Sequence, residues 1–255
     1  MRTVRSISEL RAVLKALREE GHRIGFVPTM GFLHEGHASL IRQSTARCDS
    51  TVVSVFVNPT QFGPREDFSR YPRDIERDQA LCLKLGTSVL FLPEEQEMFP
   101  TGFDTHVEPG RMATQLCGRF RPGHFRGVTT VVAKLLNIIL PDVAFFGQKD
   151  LQQCAIIRRM VRDLNLPVDI VVAPIVREPD GLALSSRNIF LDPETRKRAL
   201  CLSRGLFAAE RSFQAGERSV QALMALAIEH LLDVDELQYC ELVDATTLEP
   251  LSGSV

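Results

Sequence analysis

Five short runs of mainly apolar and β-branched residues, set apart by stretches with helical spacing, constrain this chain most. They cover residues 24–27, 51–57, 88–92, 143–146 and 168–173. Each is too short for a helix and lacks a polar alternation, the pattern of a strand whose sheet is covered on both faces. Helical patterns lie between them. Ser6 and Glu9 form a capping-box pair ahead of Leu10, Val13, Leu14 and Leu17, with Gly21 as a stop. Residues 36–48 place Leu40, Ile41 and Ser44 on one face, and residues 74–85 end at Gly86. Val128, Val131, Val132, Leu135, Leu136 and Ile139 give the cleanest stripe, closed by Pro141, and residues 151–163 form a further helix. This alternation predicts an α/β fold, a Rossmann-like doubly wound parallel sheet. Residues 101–126, rich in glycine and polar side chains, read as loops with one short strand at most. After Arg177 the pattern changes to helices at 193–213 and 219–232 and a strand-like run at 237–243. The expected organisation is a first domain at 1–176 and a second, smaller C-terminal α+β domain at 177–255.

In doubly wound sheets ligands bind beyond the carboxyl ends of the strands. The loops after residues 27, 57, 146 and 173 should therefore share one face, and they hold the least ordinary residues. Pro28 and Thr29 lead into Met30, Gly31, Phe32, Leu33, His34, Glu35, Gly36 and His37 at a strand-to-helix junction. A helix start offers free N–H groups and the positive end of its dipole, which suits phosphate. Two histidines three apart can both donate to a phosphate that gains charge. The alternative is two surface histidines on a turn; the zincin spacing is absent. Gly147, Gln148, Lys149 and Asp150 repeat the strand-to-helix placement. Lys149 is a natural phosphate ligand, and Asp150 suits a ribose hydroxyl, a magnesium ion or Lys149 itself. The P-loop pattern is missing. Leu184, Ser185, Ser186, Arg187 and Asn188 put hydroxyls and a guanidinium on an inter-domain loop, fit either for a clamp on triphosphate or for a plain linker. Asn58, Gln61 and Gln153 offer amides for a small polar substrate, or ordinary turn and surface chemistry.

The bulk numbers close off other classes. With 255 residues, a net charge of −2 and a pI near 6.3, a dedicated nucleic-acid binder is disfavoured. The arginine-rich segment 118–127 reads as an anion-binding flap over the active site, with RNA contact as the weaker reading. The six cysteines form no Cys-x-x-Cys pair and read as reduced residues of a cytoplasmic protein. No signal core follows Met1, and the longest apolar run, 128–140, is broken by Lys134 and Asn137, so neither export nor a membrane span is expected.

Residues 28–37, 55–62, 121–127, 145–153 and 177–188, taken in order, resemble the pantothenate synthetase (pantoate–β-alanine ligase) family of the cytidylyltransferase-like nucleotidyltransferases. The likeness spans nearly the whole chain. It implies an enzyme that joins pantoate and β-alanine into pantothenate, a coenzyme A precursor, through pantoyl adenylate, with release of pyrophosphate and AMP. It implies that residues 30–37, Gly147 to Asp150, Val176 and Leu184 to Arg187 bind ATP. His37, His34 and Lys149 would serve the chemistry, with His37 the usual candidate acid. Gln61 and Gln153 would hold pantoate, and Gln61 also borders β-alanine. It further implies Mg2+ with the triphosphate and a homodimer, and leaves the metal ligands open. An adenylating enzyme for another carboxylate and a non-catalytic nucleotide sensor are the competing readings. The chain ends at Leu251-Ser252-Gly253-Ser254-Val255, where the family is expected to continue, so the second domain should be shorter than usual.

Overall fold

The computed structural model describes residues 1–232 and 234–255. The chain runs β1 (Arg2–Val4), α1 (Ile7–Glu19), β2 (Ile24–Thr29), α2 (Glu35–Thr45), β3 (Ser50–Val55), α3 (Ile75–Lys84), β4 (Val89–Phe91), α4 (Glu95–Met98), α5 (His124–Ile139), β5 (Val143–Gly147), α6 (Leu151–Asp163), β6 (Asp169–Ala173), α7 (Pro193–Gln214) and α8 (Val220–Glu229). The six strands form one sheet in the order β1-β4-β3-β2-β5-β6, and every pairing is parallel. The five strands expected from the sequence are all present. β1 escaped notice because three residues, two of them polar, carry no periodic signal.

Successive strand residues go to opposite faces, and both faces are dry. Phe26, Val52, Phe91, Ala144 and Phe146 join one core with Leu10 and Leu14 of α1, the stripe of α5, and Ile157 and Met160 of α6. Val27, Val53, Leu90 and Phe145 join the other with Leu40 and Ile41 of α2 and Cys82 of α3. This double cover explains why the strands read as continuous apolar runs. Ser6 caps α1 through the expected capping box. Leu140, with φ +49, closes α5 ahead of Pro141.

From β2 the chain winds towards β3 and β4, and from β5 it winds the other way to β6. The topological switch therefore lies between β2 and β5, which pair through Gly25–Val143 and Phe26–Ala144. A crevice opens there at the strands' carboxyl ends. Residues 101–126 contain two 3-10 turns, Arg111–Thr114 and Leu116–Arg119, and no strand among them. Beyond Ala173 the polypeptide leaves the sheet. α7 and α8 cross closely at Gly205, where a Cβ would lie 2.6 Å from the Ala227 carbonyl oxygen. The strand expected at 237–243 does not form. An isolated bridge joins Val243 to Pro250, and side chains hold the rest: Tyr239 stacks on Phe120 and Glu241 pairs with Arg119.

Candidate active site

The turn after β2 is built to aim two imidazoles. Thr29 Oγ1 donates to the Ser54 carbonyl at 2.8 Å and accepts from Gly31 N–H at 3.2 Å. Gly31 (φ +84) and Phe32 (φ +51) then reverse the chain. A side chain at Gly31 would be strained by that φ, and its Cβ would lie 2.8 Å from Val55 Cγ1. Asp78 of α3, fully buried, accepts the N–H groups of both Phe32 and Leu33 at 2.7 Å. Burial pushes its carboxyl up, and the two amides pull against that.

The turn delivers His34 as the N-cap of α2. His34 Nδ1 accepts from Gly36 N–H at 3.1 Å, and His37 Nδ1 accepts from His34 N–H at 3.3 Å. The ring centroids lie 4.1 Å apart. A ring nitrogen that accepts carries no proton, so each neutral ring bears its proton on Nε2. Burial, then Lys149 and Arg77, lower the His34 pKa to about 4; burial, then His34 and Lys149, lower that of His37 to about 3. At neutral pH both are uncharged Nε2–H donors.

The other lip of the crevice comes from β5. Gly147 leads into the 3-10 turn Gln148–Asp150, where Lys149 Nζ lies 3.5 Å from Asp150 Oδ1, and Gln153 follows on the first turn of α6. A third group rides on the turn Pro59–Gln61. Buried Asn58 donates to Gln61 Oε1 at 3.0 Å and to the Gly127 carbonyl at 3.2 Å, and Gln61 Nε2 points at Met30 Sδ, 3.4 Å away. Arg121 Nη1 lies 3.1 Å from His124 Nε2, which therefore accepts, and His124 Nδ1 donates to the Gln61 carbonyl at 2.8 Å. The loop after β6 supplies Val176, Leu184, Ser185, Ser186 and Arg187. Ser186 Oγ donates to the Phe32 carbonyl at 3.1 Å.

One cleft gathers Met30, His34, Gly36, His37, Gln61, Gly147, Lys149, Asp150, Gln153, Val176, Leu184, Ser185, Ser186 and Arg187. Arg121 and His124 line it too, and Val128, Val131, Val132 and Leu135 of α5 give it an apolar wall. Of the segment expected as an anion-binding flap, Arg119, Arg121 and Arg126 each pair with a carboxylate. Gly31, Phe32, Leu33, Glu35 and Gln148 lie outside the lining. The amides of Phe32 and Leu33 are taken by Asp78, Leu33 packs in the core, Glu35 pairs with Arg42, and Gln148 is exposed. Sequence reasoning missed Asp78 and Tyr71. The signal for Asp78 was an acid one turn before Cys82, on the apolar stripe of α3. Among the described residues no group of three or more His, Cys, Asp or Glu could hold a metal ion, and Asp150 is the one carboxylate in the lining. That donor set suits a magnesium ion borne by phosphates and touched by a single carboxylate, not a caged metal.

A switch-point crevice with paired neutral histidines at a helix start, a lysine on the facing loop and a basic loop above defines a nucleotide-using α/β enzyme. The family pattern described as Pantoate-beta-alanine ligase matches residues 2–254. The chain is 61% identical to pantothenate synthetase 1 of Bradyrhizobium diazoefficiens, over 97% of its length and 88% of the relative's. It is 52% identical to the Geobacter sulfurreducens pantothenate synthetase, over 100% of this chain and 90% of that one. Among solved structures, a Thermus thermophilus pantothenate synthetase superposes with a TM-score of 0.94 at 49% identity, covering 100% of this chain and 91% of that one. A Francisella tularensis pantoate-β-alanine ligase, solved with beta-gamma ATP and β-alanine, gives 0.77 at 35% identity, covering 90% and 86%. The chain belongs to the pantoate–β-alanine ligase family. It is a ligase, and its reaction is the ATP-dependent joining of pantoate and β-alanine into pantothenate.

Proposed function

We propose that this one cleft performs the ligation in two steps. The pantoate carboxylate attacks the α-phosphorus of ATP; an O–P bond forms, the bond to pyrophosphate breaks, and pantoyl adenylate results. The amine of β-alanine then attacks the acyl carbon, AMP departs with the C–O bond electrons, and the amine sheds its proton to water. Neither step needs a protein nucleophile. Both need donors placed where phosphate charge develops.

The carrying observation is that backbone amides hold His34 and His37 as Nε2–H donors beside Lys149. In this reading the triphosphate lies along the start of α2, with Met30 to His37 and Gly147 to Asp150 around the nucleotide and Val176 towards adenine. Leu184 to Arg187 close over the phosphates as part of a lid formed by residues 177–255. Gln61 and Gln153 take the hydroxyl and carboxylate oxygens of pantoate, whose two methyl groups match the valine wall of α5, and Gln61 also meets β-alanine. A magnesium ion, when bound with ATP, neutralises phosphate charge, and Asp150 is the carboxylate placed to hold it. The Francisella relative, solved in complex with beta-gamma ATP and β-alanine, supports the use of a nucleotide and β-alanine by this chain.

The test is pyrophosphate release from ATP that requires pantoate, followed by AMP release that requires β-alanine. Folded protein that shows neither removes the proposal, and equal exchange with unrelated carboxylates would point to another adenylating activity. We also infer a cytoplasmic homodimer, on the family likeness and the six free cysteines. No helix among the described residues is long and apolar enough to cross a membrane. Light scattering at twice the 28.5 kDa chain mass is the expected result, and a monomer at micromolar concentration contradicts it.

A further inference from the structure

Two consecutive acids that do not line the cleft each grip one of the arginines that do. Glu66 receives Arg121 Nε and Nη2 at 2.7 and 2.6 Å. Asp67 receives Arg187 Nε and Nη2 at 2.7 and 2.9 Å. Both grips are bidentate and use the same edge of the guanidinium, which leaves Nη1 for something else. For Arg121 that partner is His124, which in turn holds the carbonyl of Gln61. For Arg187 the free edge belongs to a residue of the cleft lining, steadied by the Tyr71 ring 5.1 Å away. Asp67 is only 19% exposed while Arg187 is 43% exposed, so the carboxylate is the sheltered, fixed member of the pair.

We propose that Glu66 and Asp67 are positioning residues that aim the two arginines of the cleft, Asp67 serving the phosphate end and Glu66 the acyl and amine end. The proposal rests on the reading of the cleft given above. Its physical basis is that a planar fork held on one edge by a carboxylate has a fixed direction for its other edge, which an unpaired arginine lacks. Fixing it beforehand removes an ordering cost from the bound state. Partly exposed ion pairs add little to folding, so a pair held this rigidly beside a cleft is better accounted for by orientation. Hydrogen bonding from each arginine holds both carboxyls below their ordinary range, so both acids stay charged at neutral pH.

Asp67→Asn and Glu66→Gln in the full-length protein separate the two arms. With each substrate varied in turn, Asp67→Asn is expected to raise KM for ATP about tenfold or more and leave pantoate and β-alanine within about twofold. Glu66→Gln should do the converse, leaving ATP unchanged and raising KM for pantoate or β-alanine. Melting temperatures should stay within a few degrees of wild type. Asp67→Glu keeps a bidentate carboxylate and should recover part of the ATP effect, which also covers an Asn variant that folds poorly. Variants that match wild type for all three substrates overturn the inference. So does a loss spread equally over all three with an early melt, because that is a structural role. A wild-type protein that makes no pantothenate from the three substrates fails the reading of the cleft, and the inference falls with it; an active wild type with indifferent variants fails the inference alone.

Discussion

His37→Ala is expected to slow pyrophosphate release from ATP and pantoate by about a hundred- to a thousandfold with the fold intact, the usual cost of deleting one donor to a charge that develops in the transition state. The ring contributes a single usable donor. Its Nδ1 is committed to His34 N–H, so Nε2–H remains for the phosphate oxygens. The fold tolerates the loss because His37 supplies only half of the α2 cap. Gly36 N–H is still held by His34, and Leu40 and Ile41 still anchor the helix in the core. Losing the cap interaction costs about 1 kcal/mol. His37→Gln places an amide N–H near the vacated Nε2 position and should recover part of the rate, which separates hydrogen-bond donation from proton donation. An alanine variant with wild-type exchange kinetics would remove His37 from the chemistry.

The pH dependence follows from the same geometry. A group whose folded pKa is depressed stabilises the fold above its unfolded value and loses that contribution as pH falls. With His37 at about 3 and His34 at about 4 against an ordinary 6.5, the fold loses stability as pH falls from roughly 6.5 to about 3, the His34 share being lost by about pH 4, and above pH 7 these rings make no pH-dependent contribution. In the free enzyme neither ring should show a protonation step near 6.5. In the free enzyme the two rings therefore stand as neutral Nε2–H donors.

Much of this was legible in residue order, for stateable reasons. The double cover of the sheet forces uninterrupted apolar strands, and those announce themselves at 24–27 and 143–146. A phosphate site at a helix start needs glycine and donors close together in sequence, so His34 and His37 were visible as a pair. What stayed hidden acts across distance. Asp78 reaches back to the amides of Phe32 and Leu33, and Asp67 reaches forward to Arg187. Nothing local marks such partners, because the spacing that joins them is set by the fold. The strand expected at 237–243 failed for a related reason. Leu237, Tyr239, Cys240, Leu242 and Val243 make a mainly apolar run that reads as a strand, yet a ladder needs a neighbour, and here Phe120 stacks on Tyr239 and Arg119 pairs with Glu241 instead.

Gly127→Ala is the second large effect expected, and it links core packing to substrate binding. On an isolated helix alanine is better than glycine by about 1 kcal/mol, so propensity alone predicts a gain. The site reverses the sign. A Cβ at residue 127 would lie 2.3 Å from the Thr60 carbonyl oxygen and 2.7 Å from Gln61 Cα, all backbone of the turn that carries Gln61. Relief requires a shift of about an ångström. α5 cannot supply it, since Val128, Val131, Val132, Leu135 and Leu136 are packed in the main core. The turn at Pro59–Gln61 must move instead, straining the Asn58 bridge to the Gly127 carbonyl and displacing Gln61. Overpacking of this kind costs about 1–3 kcal/mol, which lowers the melting temperature by several degrees in a chain of this size. Misplacing a substrate-holding residue by an ångström can cost about a hundredfold. The expected result is therefore a kcat/KM for pantoate down by about that factor, with KM for ATP little changed because the phosphate side is untouched. Gly110→Ala is the control: nothing lies within 4 Å of a Cβ there, and its φ of −77 is open to alanine. If Gly127→Ala matches that control in both melting and pantoate kinetics, the turn is free to move and Gln61 does not depend on this contact.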